Sequence, residues 1–413
     1  MTAPSVTNVT VSTRTVLGLG TAQTLAWGST YYLPAILAAP IAADLGVTVP
    51  TVYAAFSVAL LVAALVGPQA GAAIDRLGGR PMLLATSLVF ALGLAGLGAA
   101  QGIAGLFAAW VVIGLGMGCG LYEAAFAALV RLQGKDARAS ITGITLIAGF
   151  ASTVGWPLST WLATSFGWRE ACFTWAALHL LVGLPLNGML PRIGRAEVRP
   201  EPPAGTEAGP QAGAQAAPPP SVSPLPPPTP TPTLRPMLIL SFVFAATWFI
   251  STAMAAHLPR LMQAAGATVA GALLVGSLIG PAQVAGRLLE FGWLRQVHPL
   301  LSARLASAMH PLGVGVLLLG GPALAPLFGI LHGAGNGVLT IAKGTLPLAL
   351  FGSEGYGARQ GWLMAPARVT QALAPWLFGL VLDHLKADAL WVTAAIGLCA
   401  WLALLGLRPT RSG

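Results

Sequence analysis

The residues best placed to do chemistry in this chain are ionisable ones stranded inside long apolar runs: Glu123, Arg287, Glu290, Arg304, Lys343 and Arg368. A charge held away from water is expensive unless it is paired, so each marks either a structural ion pair or a site. Glu123 can pair with Lys343 or with Arg368. It can also exchange a proton whose binding depends on how its cationic neighbours are occupied. Arg287, Lys343 and Arg368 stand against Glu123 alone, because Glu290 and Arg304 lie close to run ends. That surplus of positive charge favours an anionic ligand. Two registers compete for Arg287: aligned on "GRLLE" it lies one turn from the run end and pairs with Glu290, whereas counted from Thr268 it lies deeper. Gln283, four residues earlier, shares its helix face. The stretch "WGSTYYLP" at 27–34 sets Ser29, Tyr31 and Tyr32 before a helix-bending proline. Their hydroxyls either meet a carboxylate or form an interfacial belt. Asn336, His332 and His257 are further polar candidates, although a single histidine is more often packed and hydrogen-bonded than a proton relay.

What must position these groups is helix in lipid. Hydrophobic residues make up 55% of the 413, and only 8% are charged, too few to cover a water-soluble surface. Runs of about 20 apolar residues, the length that crosses a hydrocarbon core, recur along the chain. They predict twelve spans, at 16–40, 50–73, 81–101, 105–130, 140–163, 170–190, 236–257, 268–291, 297–319, 323–349, 357–382 and 388–407. The first is too long for a signal-peptide core and is read as a retained span. Arginine and lysine gather at alternate span ends, which places both termini in the cytoplasm and accounts for the net charge of +9 without nucleic-acid binding. Cys119, Cys172 and Cys399 lie inside spans with no metal-ligand spacing and read as packing residues. No nucleotide loop, HExxH or nucleophile elbow appears, so neither an enzyme nor a bound metal or cofactor is expected.

Residues 191–235 are proline-rich and low in complexity, a linker between a six-helix half at 1–190 and another at 236–413. The halves echo each other. "GMGCG" at 116–120 corresponds to "GAGNG" at 333–337, Pro157 to Pro375 and Gly143 to Gly361, at offsets of 217 or 218 residues. "LVGP" at 65–68 is echoed by "LIGP" at 278–281. A parallel duplication of six spans is the plan of a carrier whose halves rock. At the matching offset Arg368 falls opposite Phe150 and Lys343 opposite Phe126, each well inside its span.

The turn after the second span reads "GAAIDRLGGRPML", residues 71–83. Its Gly71, Asp75, Arg76, Gly78 and Arg80 resemble the GxxxDRxGRR signature of the major facilitator superfamily, with Gly79 standing where that pattern has a basic residue. Gly286, Glu290 and Arg295 repeat the spacing faintly in the second half. The resemblance implies an all-α integral membrane fold of twelve transmembrane helices in two pseudo-symmetric halves. It implies that the acid and arginine of the turn hold helix ends together in one alternating-access state. It further implies that spans 1, 4, 7 and 10 line the cavity and spans 2, 5, 8 and 11 flank it. The aromatic cluster of the first span and the basic residues of spans eight and eleven are similar to the monocarboxylate and oxalate/formate branch, where such basic residues grip a carboxylate. The expectation is a secondary transporter of a small organic anion in a bacterial cytoplasmic membrane, working as a monomer by proton coupling or anion exchange. Substrate contacts are expected from Arg368, Lys343, Arg287, Tyr31, Tyr32, Asn336 and Gln283, with Glu123 as proton carrier. The competing expectation is an efflux pump for drugs or arsenite: "GWP" at 155–157 distantly resembles an antiporter signature, and Cys119 with Cys172 would hold a thiophilic substrate only if they met.

Overall fold

The computed structural model describes residues 11–192 and 234–408; the remainder of the expected linker and both chain ends lie outside the described residues. The first span is α1 (Thr13–Ser29) and α2 (Pro34–Leu45), followed by α3 (Val49–Leu77) and α4 (Gly79–Gly98). The fourth is α5 (Ile103–Gly120) and α6 (Tyr122–Gln133), and the fifth α7 (Ala137–Ala148) and α8 (Ala151–Ser165). The sixth joins α9 (Trp168–Leu178) to α10 (Leu184–Gly188) through a π-helical turn at His179–Gly183. The second half runs α11 (Leu234–Ala264), α12 (Val269–Gly292), α13 (Pro299–Gly320), α14 (Ala325–Phe351), α15 (Tyr356–Leu385) and α16 (Ala389–Leu405). Among the described residues, eight stretches of helix are long and apolar enough to cross a membrane. Three of them, Ile103–Ser165, Pro299–Phe351 and Tyr356–Leu405, hold two of the expected spans each. The broken first span completes the twelve.

The halves differ in how their helices are made. In the first half the first, fourth and fifth spans break near mid-length. Thr30 turns its hydroxyl back to the Ala26 carbonyl, and Pro34, lacking an N–H, starts the next helix rather than continuing the last. Leu121 is extended, with φ −80° and ψ −165°, and Gly149 and Phe150 separate α7 from α8. The corresponding spans of the second half, α11, α14 and α15, run unbroken despite Pro259, Pro347, Pro366 and Pro375.

Glycines let neighbouring spans close in both halves, although counterparts in the repeat face different neighbours: Gly116 lies against Phe90 of α4, and Gly333 against Ile279 of α12. Gly114 and Gly118 of α5 lie against the backbone of Ala59 and Ala63 of α3. Gly329, Gly333 and Gly337 of α14 lie against Val275, Ile279 and Gln283 of α12. One apolar core fills the first half around Trp110, Phe90 and Trp175 and reaches Leu348, Tyr356 and Ala372 of the second, where smaller ones lie around Phe328 and Phe378, around Phe244 and Leu346 and at Ala306, Val338 and Leu339.

Two features depart from the sequence reading. Gly71, Asp75 and Arg76 belong to the last turns of α3, which runs to Leu77; Gly78 alone, at φ +85°, makes the connection, and Gly79 and Arg80 already open α4. Only glycine adopts that backbone readily. Arg304 does not reach for water alone: its guanidinium donates to the carbonyls of Leu404, Leu405 and Leu407 and so caps α16.

Candidate substrate site and the contacts between halves

Glu123 owes its place to the break in the fourth span. It sits in the first turn of α6, where a carboxylate is favoured by the helix N-terminus. From there its Oε2 accepts from Arg368 Nη2 of α15 at 2.9 Å, in a pair whose side chains are 17% and 4% exposed. Arg368 Nη1 donates to Gln371 Oε1 at 3.2 Å. The pairing with Arg368 corrects the fixed Glu123–Lys343 alternative. Lys343 of α14 is buried, its Nζ has no hydrogen-bond partner, and it lies 4.0 Å over the ring of Trp248. Glu123 and Arg368 are its charged neighbours.

The pairing expected between Arg287 and Glu290 is not made, and Arg287 lies five residues before the end of α12. Glu290 pairs instead with Arg138 of the other half, at 3.0 Å. Arg287 is buried, with Nε and Nη1 unpartnered, and its guanidinium lies against Gly149, where a side chain would collide with it. Its neighbours include Tyr32 and Tyr122. The break at Gly149 and Phe150 therefore makes the space that Arg287 enters.

Tyr31 and Tyr32 are half-buried. They join Trp27, Phe56, Tyr122 and Trp248 in an aromatic cluster facing the cations, with Trp27 and Trp248 parallel within 4° and 6.3 Å apart. Ser29 is occupied, bonding His179 Nε2 at 2.8 Å. Gln283 is half-buried on the face of α12 that meets Gly337. Asn336 lies elsewhere than expected: it lines a water-sized cavity within the second half, beside His310 and His332, whose Nδ1 atoms are 3.0 Å apart. His257 bonds the Pro375 carbonyl at 2.7 Å and ties α11 to α15. Among the described residues the cysteines are free, and no cluster of three metal-binding side chains occurs.

Sequence reasoning missed Trp248, Tyr122, Arg138 and His310. A signal for Trp248 was present: "WGST" at 27–30 is echoed by "WFIST" at 248–252 with one residue inserted. Arg138 and His310 carry no comparable mark.

At the face where Arg76, Arg80, Arg131 and Arg138 gather, here the basic face, the halves are joined twice. Asp75 Oδ1 and Oδ2 accept from the backbone N–H groups of Gly357 and Ala358, each at 2.9 Å, at the start of α15. Gly71 and Gly357 pass so closely that a side chain on either would overlap the other's backbone. Gly79, the departure from the signature, packs on Ala128 of α6, where a basic side chain has no room. Arg76 is exposed and forms no ion pair among the described residues, while Arg131 Nε holds the Asp75 carbonyl at 3.0 Å. In this conformation Asp75 reaches the other half without Arg76. In the second contact Arg138, at the start of α7, donates to Glu290 and to the carbonyls of Leu294 and Val297. α6 and α7 pack against α12, α14 and α15, whereas α8, the far half of the same span, has no such packing on the second half.

Two six-helix halves, closed against each other at one membrane face and enclosing a charged centre, have the build of a membrane carrier. Residues 19–328 match the Major Facilitator Superfamily, and the chain belongs to it: a multi-pass secondary transporter, not an enzyme. Two solved structures show the same fold. The human organic anion transporter MFSD10 (TETRAN) is 17% identical, with a TM-score of 0.63 over 95% of this chain and 98% of that one. The proton:xylose symporter XylE is 12% identical, with a TM-score of 0.70 over 95% and 96%. No curated protein matches the chain in sequence.

Proposed function

We propose that this transporter carries a small organic anion of the monocarboxylate kind. The observation that supports it most is the charge balance of the centre: Arg287 and Lys343 are buried without hydrogen-bonding partners, and Arg368 shares Glu123. Buried cations left without an anion are costly, and a carboxylate substrate would supply the missing charge and acceptors. Glu123 then has a role in coupling. A substrate carboxylate that takes Arg368 displaces Glu123 from its partner, and this is where a coupled proton would be carried. The same exchange of partners serves an antiport of two anions.

The basic face is cytoplasmic in this reading, by the excess of arginine and lysine there, in a bacterial cytoplasmic membrane with both termini inside. The described conformation is then the one closed to the cytoplasm, held by Asp75 on α15 and Glu290 on Arg138, with Gly71 permitting the close approach to Gly357 and Gly78 making the turn between α3 and α4. Arg76 and Arg80 remain at the surface for lipid headgroups or for other states of the cycle.

The test is uptake into proteoliposomes under an imposed proton gradient, with lactate, formate, oxalate, arsenite and a lipophilic cation offered separately. The expected result is a carboxylate signal that falls about tenfold or more in Lys343→Gln and in Arg287→Gln. Transport of arsenite or the lipophilic cation alone would overturn the anion reading in favour of efflux.

A further inference from the structure

The Glu123–Arg368 pair borders more than the aromatic cluster. Both side chains also line a water-sized cavity between α3, α5 and α15, which no aromatic residue lines. Apart from the pair, its walls are alanine, glycine and two buried methionines, Met117 and Met364. Its three glycines serve it differently. A Cβ on Gly118 would press on the Ala63 carbonyl at 3.0 Å, and one on Gly361 would collide with the backbone of Pro68, so these two let the helices close. A Cβ on Gly67 would meet nothing within 4 Å. Close packing of α3 therefore does not require glycine at 67, and a side chain there is what the empty space lacks.

We infer that this cavity is a subsite for a short apolar group on the substrate, and that Gly67 sets the length it admits. This rests on the anion reading above and narrows it to short-chain aliphatic monocarboxylates. A carboxylate that takes the place of Glu123 on Arg368 brings its own alkyl carbon into the space that Glu123 and the cavity share. Burying that carbon among alanine and methionine is favourable, and the unbranched methionines can shift to turn room for a water into room for a carbon or two. The helices themselves cannot give as easily, because Gly118 on Ala63 and Gly361 on Pro68 already hold them at contact. A longer chain must part them. Apart from the ion pair, the side chains of the lining offer no hydrogen bond, so a second carboxylate at the far end of the substrate would be buried unpaired.

The experiment measures the binding of formate, acetate, propionate, butyrate and valerate by calorimetry, using the full chain in nanodiscs. Affinity is expected to rise about threefold per carbon up to propionate and to fall about tenfold by valerate. Gly67→Val fills the space and should lower the ratio of propionate to formate affinity about tenfold. Met364→Ala enlarges it and should move the optimum to a longer acid. An affinity that climbs through valerate without a ceiling, or a ratio untouched by Gly67→Val, overturns the subsite and leaves the anion reading standing; the first of these decides even where a variant fails to fold. Binding of none of the five acids overturns the anion reading itself, and the subsite with it.

Discussion

The two halves descend from one pattern and divide the labour. In the first half the helices around the centre are broken, at Thr30, Leu121 and Gly149, and each break delivers something: Tyr31 and Tyr32 after the first, Glu123 after the second, room for Arg287 at the third. In the second half the corresponding helices are unbroken and carry the cations, Lys343 on α14 and Arg368 on α15. A broken helix can aim a short side chain or a helix end at a point. A long lysine or arginine reaches the same point from a straight helix, its stem covered by neighbours. Of the two similar frames, the broken one thus holds the acceptor and the tyrosines, and the unbroken one the cations and Trp248.

The sharpest way to break that division is to compare one group from each side. Arg368→Ala leaves the Glu123 carboxylate buried without its partner and removes a cation, and should lower transport by about a hundredfold or more. Tyr31→Phe removes one hydroxyl and keeps the ring in the cluster, and should cost only a few-fold, on the order of one hydrogen bond. Initial rates in proteoliposomes at matched reconstitution decide it. Equal losses from the two substitutions would mean that the cations hold no privileged place.

This asymmetry also explains what could be read from sequence. Lys343 and Arg368 were legible because a charge inside an apolar run is conspicuous, and the repeat placed them at depth. The twelve spans were legible from length and hydropathy. Other features were not. The breaks at Leu121 and Gly149 lie in stretches as apolar as the intact helices, so hydropathy passes over them, and only the fold brings Gly149 against the Arg287 guanidinium. Glu123 was legible as a charge, but its choice of Arg368 over Lys343 depends on which turn of α15 faces α6. The Glu290–Arg138 contact joins residues 152 apart in sequence through two side chains, and neither the spacing nor the type of Arg138 announces it.

The basic face repeats the comparison in milder form. An acid near the end of α3 and an acid near the end of α12 each reach the start of a helix in the opposite half. Asp75 binds two backbone N–H groups directly, adding its charge to the helix N-terminus. Glu290 binds a guanidinium that two backbone carbonyls also hold. Asp75→Asn replaces an acceptor oxygen by an N–H₂ facing an N–H, and should slow transport about five- to tenfold with little change in apparent affinity. Glu290→Gln keeps an acceptor for Arg138 and should cost about twofold. Turnover and half-saturation measured for both variants test the order. A larger loss in Glu290→Gln would show that the faded copy of the signature, not its complete form, bears the closing contact.

The smallest difference lies in the connections beyond those acids. Gly78 alone links α3 to α4, whereas the counterpart between α12 and α13 ends in His298, whose Nδ1 accepts from the Leu300 N–H at 3.1 Å and caps α13. That bond requires the neutral imidazole, and partial burial, then the charges of Arg138 and Arg304, hold its pKa below the ordinary 6.5. A histidine whose folded pKa is depressed favours the folded, closed arrangement above its ordinary value. That contribution is lost as pH falls below about 6.5, where the opened state takes the proton first. Protonation also sets a positive charge near Arg138, which bonds both Glu290 and the Val297 carbonyl next to His298. Hydrogen exchange across 293–303 should therefore rise, by no more than about twofold, between pH 7 and pH 5.5, while 75–82 stays unchanged. His298→Asn, which caps a helix without titrating, should flatten the response. An equal rise in both connections would locate the acid sensitivity elsewhere and return the two faces to equivalence.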